Sequence, residues 1–333
     1  MTILITGGAG YIGSHMAHAL TDAGAPIVVL DNLTTGFDWA VPKSAPLVVG
    51  DSGDQTLVSS LIVRHGVEAI IHFAGSLIVS DSVADPLEYY RNNTENSRAL
   101  IECAIKGGVR NFIFSSSAAV YGNPTKDLVG EADPMAPMSP YGSSKLMTEV
   151  MLRDTSAARG LNYVILRYFN VAGADPELRT GESTRNSTHL VKIAAQTALG
   201  LRPKMLVFGD DYATPDGTCI RDYIHVTDLV NAHSAALDYL RGGGKSMALN
   251  CGYGRGFSVL EVIETVKRIA DVNFKVERGT RRPGDPAKIV AAADLIKSVL
   301  GWRPQFNDLP TIVGHALGWE RKLKATHPEV KAT

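Results

Sequence analysis

The chain has 333 residues, 45% of them hydrophobic and 20% charged, with a formal net charge of −1. That near neutrality leaves no electrostatic footprint for nucleic acid or an anionic membrane, and no apolar run approaches the roughly 18 residues of a membrane span. Cys103, Cys219 and Cys251 show neither disulfide nor metal-ligand spacing, so we expect no metal and a reducing compartment, the cytoplasm, with no signal peptide ahead of Thr2.

Thr2 to Thr6 is uncharged and reads as a strand buried on both faces; it runs into glycines at Gly7, Gly10 and Gly13. A helix follows to the stop at Gly24, then a second strand, Pro26 to Leu30, that ends in Asp31. This order aims backbone N–H groups and a positive helix end at one spot, which suits a pyrophosphate. Asp31 lies where such a unit offers an acceptor to an adenosine ribose. It would repel a 2′-phosphate, and Asn32-Leu33 supply no cation to receive one, so the pattern selects NAD over NADP.

Further along, Leu47 to Val49, Val67 to Phe73, Val109 to Ser115 and Tyr163 to Phe169 read as strands. Gln55 to Arg64, Leu87 to Ile105 and Tyr141 to Arg159 read as helices. The alternation requires parallel strands with helical crossovers: an α/β fold with a doubly wound, Rossmann-type parallel sheet. Ligands of such sheets bind beyond the carboxyl ends of the strands, where Gly7, Asp31, Asp51, Ala74-Gly75, Ser115 to Ser117 and Asn170 cluster. Ala174 to Ser187 reads as a surface loop and Lys322 to Thr333 as a solvated tail. We expect a dinucleotide-binding domain over 1–174 and a smaller mixed α/β lobe over 175–333 that holds a substrate.

Ser139 and Pro140 have the form of an N-cap and a first helical residue. Tyr141 and Lys145 then stand i and i+4, one turn apart on one face. A phenol with a pKa of about 10 is a poor base, but an ammonium and a cationic nicotinamide ring would both favour its ionised form. Tyr141 could then take a proton from a sugar hydroxyl. Ser117, at the end of the strand before it, is the candidate to share that proton; serine capping is the alternative use of Ser115 to Ser117.

Several strings together make the chain recognisable: GGAGYIGSH at Gly7 to His15, DNL at Asp31, HFAG at His72, PLEYYRNN at Pro86, SSSAAVYG at Ser115, YGSSK at Tyr141, LRYFNVAGA at Leu166 and RDYIHVTDL at Arg221. They resemble the extended short-chain dehydrogenase family, and within it the UDP-hexose 4-epimerase branch, over Thr2 to about Trp302. The resemblance implies NAD held by Gly7, Gly10, Tyr11 and Ile12 at the pyrophosphate, by Asp31 and Asn32 at the ribose, and by Asp51 and Ser52 at the adenine. Phe73, Ala74, Gly75, Asn92, Ser115, Tyr141, Lys145 and Tyr168 would line the nicotinamide side. It places a UDP-sugar against Ser117, Tyr141, Asn170, His189, Leu190, Phe208, Arg221, Arg282 and Asp285. Arginine also suits a diphosphate on physical grounds, because its planar fork grips two oxygens at once; ion pairing with Asp222 and Asp285 is the alternative use.

Two departures from the family pattern stand out. Ser76-Leu77-Ile78 carries no lysine after HFAG, and Ala119 replaces a frequent threonine. Elimination chemistry on this scaffold would need an acid and a base where Ala118 and Ala119 stand, so C4 epimerisation of a UDP-hexose is the expected reaction. Epimerisation of UDP-N-acetylhexosamines or UDP-pentoses is the alternative, with nucleotide-sugar dehydration or net NAD-dependent oxidation behind it. Ile289 is expected to set whether an N-acetyl group fits, and the resemblance implies a homodimer through the helices Leu87 to Ile105 and Tyr141 to Arg159.

Overall fold

A computed structural model describes residues 2–185, 187–282 and 285–330. The main layer is a seven-stranded sheet of β1 (Thr2–Thr6), β2 (Ile27–Asp31), β3 (Leu47–Val49), β4 (Val67–His72), β5 (Asn111–Ser117), β6 (Asn162–Tyr168) and β10 (Met247–Cys251). Its order is β10-β6-β5-β4-β1-β2-β3 and every pairing is parallel. The order reverses between β1 and β4, and that switch point opens the crevice in which ligands of such sheets bind. The uncharged runs that form β1 and β2 are buried along nearly their whole length, as strands covered on both faces must be.

Helices α1 (Tyr11–Asp22), α2 (Gln55–His65), α3 (Val79–Ala84), α4 (Pro86–Tyr89), α5 (Asn96–Lys106) and α6 (Pro140–Arg159) supply the crossovers. The helix expected over Leu87 to Ile105 is broken: Tyr90–Glu95 forms a π-turn between α4 and α5. One extra residue per turn there redirects the side chains at Asn92 and Asn93, a device common at functional sites.

After β6 the chain passes within two residues to β7 (Asn170–Ala172), which belongs to a second sheet. Its centre is β9 (Ile220–His225), flanked by β11 (Gly256–Ser258, antiparallel) and, in parallel, by β7 and β13 (Lys288–Ile289). β8 (Met205–Phe208) pairs with β12 (Val276–Gly279). Helices α7 (Leu190–Ala198), α9 (Val259–Ala270) and α11 (Leu309–Thr326) enclose the apolar core of this part, while α8 (Val226–Arg241) covers the large sheet and α10 (Asp294–Leu300) follows β13. The chain therefore returns from the second sheet to the first, through α8 and β10, before it finishes.

Two stretches differ from their sequence reading. Ala174 to Ser187 is no surface loop: Asp175, Thr180, Glu182, Ser183, Thr184 and Ser187 are buried, because Ala174 bridges Gly181 and the segment is threaded under α11. The tail is helical to Thr326, with Leu323 buried beside Trp319, and His327 stacks on Trp39; residues 331–333 lie outside the described residues.

Candidate active site

Gly7 closes β1 with φ +72°, and a Cβ there would lie 2.5 Å from the Ala74 nitrogen, so glycine lets the loop after β4 run against the turn. A Cβ on Gly13 would meet the Gly7 carbonyl at 2.1 Å; its absence brings α1 tight against the strand. Gly10 is the N-cap and no side chain caps the helix, which presents the first-turn N–H groups of Tyr11 and Ile12 as an anion cradle. The Tyr11 hydroxyl is turned away from that cradle and donates to the Gly173 carbonyl at 2.8 Å. Asp31, buried at the end of β2, accepts from Ala9 N (2.9 Å) and Leu33 N (2.8 Å), which ties the turn to the strand; burial pushes its carboxyl up. Asn32 is exposed and accepts from Thr34 N, whereas Asp51 accepts from Gly53 N and Asn96 Nδ2, with Ser52 half-buried beside it.

Phe73 and Ala74 both donate backbone N–H to the Thr6 carbonyl, which keeps the loop after β4 beside the glycine turn. Gly75, at φ +155°, sits where a Cβ would be 3.0 Å from Asn93 Oδ1 and 3.7 Å from Lys145 Nζ. The π-turn faces this loop: Asn92 donates to Ser76 Oγ (2.8 Å), while Asn93 accepts from Ser76 N (2.7 Å) and donates to Ser144 Oγ (3.1 Å) on α6. Behind it runs an ordered chain. Ser97 gives its proton to the Asn93 carbonyl, so it accepts from His72 Nε2, and His72 Nδ1 accepts from Thr6. Burial holds the His72 pKa down to about 3, which keeps the imidazole neutral and the chain's direction fixed. Asn93 was not singled out from sequence; the paired asparagines that end PLEYYRNN were the signal.

Helix α6 begins as its sequence dictates, with Ser139 Oγ accepting from Gly142 N and Pro140 in the first turn. Tyr141 and Lys145 are 8% and 5% exposed. The three serines at the end of β5 take three different partners. Ser115 Oγ faces His233 Nε2 at 3.2 Å, Ser116 donates to Glu149 Oε1 at 2.5 Å, and Ser117 Oγ accepts from Ala119 N at 3.1 Å. Lys145 Nζ donates to the Ser115 carbonyl (3.1 Å) and stands 5.0 Å over the Phe114 ring; burial lowers its pKa to about 8. Burial pushes the Tyr141 phenol up and Ser117 opposes it, while Lys145 gives one hydrogen to the Ser115 carbonyl. Tyr168, ending β6, is likewise pushed up by burial and opposed by Ser115. Sequence reading also missed the buried pair Glu149–Arg167 (2.6 Å), which grips Ser116 and the Tyr121 hydroxyl from beneath.

The other predicted residues form a second group. Arg221 on β9 donates to Asp285 Oδ1 (2.6 Å) and to the Ile220 carbonyl, and the exposed Arg282 lays its guanidinium 3.9 Å over the Phe208 ring at the end of β8. Asp222 pairs with neither arginine; it is fully buried and accepts from the backbone N–H of Tyr253, Gly254 and Ala291. Ile289 stands in register with Arg221. His189 occupies the N-cap position of α7 without a side-chain cap bond, half-buried next to Leu190, and its Nδ1 lies 2.9 Å from Glu182 Oε1. Asn170, two residues past Tyr168, opens β7 beside Tyr223 of β9, so the chain crosses from the first group to the second at that point.

A glycine turn at the switch point of a doubly wound sheet, with a buried tyrosine and lysine one helical turn apart beside it, defines a dinucleotide-dependent enzyme of the short-chain dehydrogenase type. More particularly, the chain belongs to the NAD dependent epimerase/dehydratase family, whose model matches residues 3–252. It is 54% identical to a UDP-glucose 4-epimerase of Azospirillum brasilense, over 97% of this chain and 92% of that protein. Among solved structures, a UDP-glucose 4-epimerase of Brucella ovis in complex with NAD superposes with a TM-score of 0.93 at 43% identity, covering 95% of this chain and 97% of that one. The UDP-glucose 4-epimerase of Bifidobacterium longum, in complex with NAD+ and UDP, gives 0.92 at 36% identity, covering 97% and 98%.

Proposed function

We infer that this chain interconverts UDP-glucose and UDP-galactose by inversion at C4, with NAD as its cofactor. NAD fits what the chain offers. Side-chain-free glycines shape the phosphate turn, a buried carboxylate ends β2, and Lys145 gives only one of its three hydrogens to Ser115. We assign the pyrophosphate to Gly7, Gly10, Tyr11 and Ile12, the adenosine to Asp31, Asn32, Asp51 and Ser52, and the nicotinamide side to Phe73–Gly75, Asn92, Ser115, Lys145 and Tyr168. When bound, NAD supplies a reversible two-electron sink at the sugar carbon.

The observation that carries the reading is the placement of Tyr141 and Lys145, both buried and one turn apart on α6, at the mouth of the switch point, with Lys145 Nζ held on the Ser115 carbonyl of β5. Tyr141 Oη takes the proton of the C4 hydroxyl and returns it to the same oxygen after the 4-keto sugar has turned to present its other face. Ser117, whose Oγ is already held by Ala119 N, keeps its own proton free to bridge Tyr141 and the sugar oxygen. Lys145 supplies the positive charge that the ionised phenol needs at that moment. Ala118 and Ala119, in the turn after β5, carry no proton for an elimination. Asn170, His189, Leu190, Phe208, Arg221, Arg282 and Asp285 are assigned to the UDP-sugar, held largely by the second sheet with β8, β12 and helix α7, since α8 and β10 within 175–333 return to the large sheet. Two further readings go with this one. Three free, buried thiols support the cytoplasm. Leu87, 77% exposed on α4, with Met147 exposed on α6, supports a homodimer through these helices.

The test is to incubate the purified protein with UDP-galactose and no added NAD. UDP-glucose should form; a protein that forms none, or that turns over only with continuous NAD consumption, defeats the reading.

A further inference from the structure

Beneath His189 lies a buried cluster that the reaction just described does not use. Glu182, from the inward-threaded segment, places Oε1 2.9 Å from His189 Nδ1 and also accepts from the Ser187 hydroxyl. Lys192, one turn further along α7, donates to the Glu182 carbonyl at 2.6 Å and pairs with Glu320 of α11. Glu182, Lys192 and Glu320 are all buried, while the His189 side chain is 38% exposed. Among the described residues, Glu182 and Lys192 are the charged groups that act on His189, and Glu320 is the one that faces Lys192.

Charge balance decides the state of this cluster. Glu320 pairs directly with Lys192, which reaches Glu182 only at longer range, so with a neutral His189 the buried Glu182 carboxylate would have no direct ionic partner, an arrangement proteins avoid. A protonated His189 completes two pairs. The 2.9 Å separation from Glu182 Oε1 favours a hydrogen on Nδ1 by charge, although the two atoms are not aligned as a hydrogen bond, and it leaves Nε2 as the nitrogen that meets whatever binds at the start of α7. Glu182 also raises the His189 pKa against burial and against Lys192. We propose that Glu182 is a positioning residue that keeps His189 a cation at neutral pH, so that an imidazolium N–H is offered to the anionic diphosphate of the nucleotide-sugar. This rests on the assignment of His189 to the UDP-sugar made above.

The experiment is calorimetric titration of the NAD-loaded protein with UDP-glucose, whose diphosphate has no group titrating between about pH 6 and about pH 8.5. Wild-type affinity should fall as pH rises and His189 loses its proton. Glu182→Gln should move that fall about one pH unit lower, leaving binding about fivefold weaker near neutrality and equal to wild type at the acid end. His189→Asn should bind weakly and without pH dependence. Wild-type affinity that is flat with pH, or a Glu182→Gln loss equal at every pH, overturns the proposal. Should Glu182→Gln not fold, the imidazole of His189 followed by NMR in the wild-type protein decides: loss of its proton below about pH 6 overturns it. UDP-glucose that fails to bind the wild type at any pH would defeat the underlying assignment, and this proposal with it.

Discussion

Around Tyr141 almost every polar atom is buried and held by protein: the three serines of β5 each have a separate partner, Lys145 is fixed on a backbone carbonyl, and Asn93 joins the loop after β4 to α6. Around Arg221 and Arg282 the groups are charged and partly open to solvent, with one guanidinium in an ion pair and the other resting on a ring. The first arrangement suits a proton that must move between fixed atoms, since preorganised dipoles need no rearrangement during reaction. The second suits gripping an anion that enters and leaves. Changes near Tyr141 should therefore act on turnover or on folding, and changes near Arg282 on binding alone.

The largest separation should come from Lys145→Met, for which we expect a loss of about 10³-fold in kcat with little change in KM, measured on protein of unaltered NAD content. A variant that changed KM alone would place Lys145 with the recognition group. Next, Glu149→Ala should destabilise the protein by about 3–5 kcal/mol in urea unfolding, because Arg167 is left as a buried, unanswered charge; a loss under about 1 kcal/mol would show the pair to be solvated.

Acid should act on the buried region in the same sense. Burial holds His15 and His233 at about 4 and His72 and His225 at about 3, below the ordinary 6.5. The unfolded chain takes up protons first, so this stability is full above about pH 6.5 and is lost as pH falls toward 4, by up to about 1.4 kcal/mol per pH unit for each imidazole. A urea midpoint unchanged between pH 7.5 and pH 5 would contradict it. Smallest of the four, Arg282→Ala should raise KM for the UDP-sugar about tenfold and leave kcat and NAD content alone; an unchanged KM would mean that Arg282 only covers Phe208.

The sequence made the buried region readable in part. Uncharged strands, the glycine series and the Ser-Pro-Tyr start of α6 are local signals, and the elements they predict stand within a residue or two of their observed bounds. What it hid depends on contacts between distant segments. The π-turn at Tyr90–Glu95 looks helical in composition, and β10 reads like any short strand until it pairs with β6. Glu149–Arg167 and Glu182–His189 are ordinary charged residues until folding removes their water. The inward course of Ala174 to Ser187 was masked by Pro176 and its many charged residues, whose buried members find partners only in the folded chain.

Tyr141→Phe is the most direct test of the central claim, that one buried phenol moves the C4 proton. Measured for conversion of UDP-galactose to UDP-glucose, with bound dinucleotide quantified by its absorbance after release, the variant should keep its NAD and lose about 10³-fold or more in turnover. Conversion at the wild-type rate by a fully loaded variant would contradict the account.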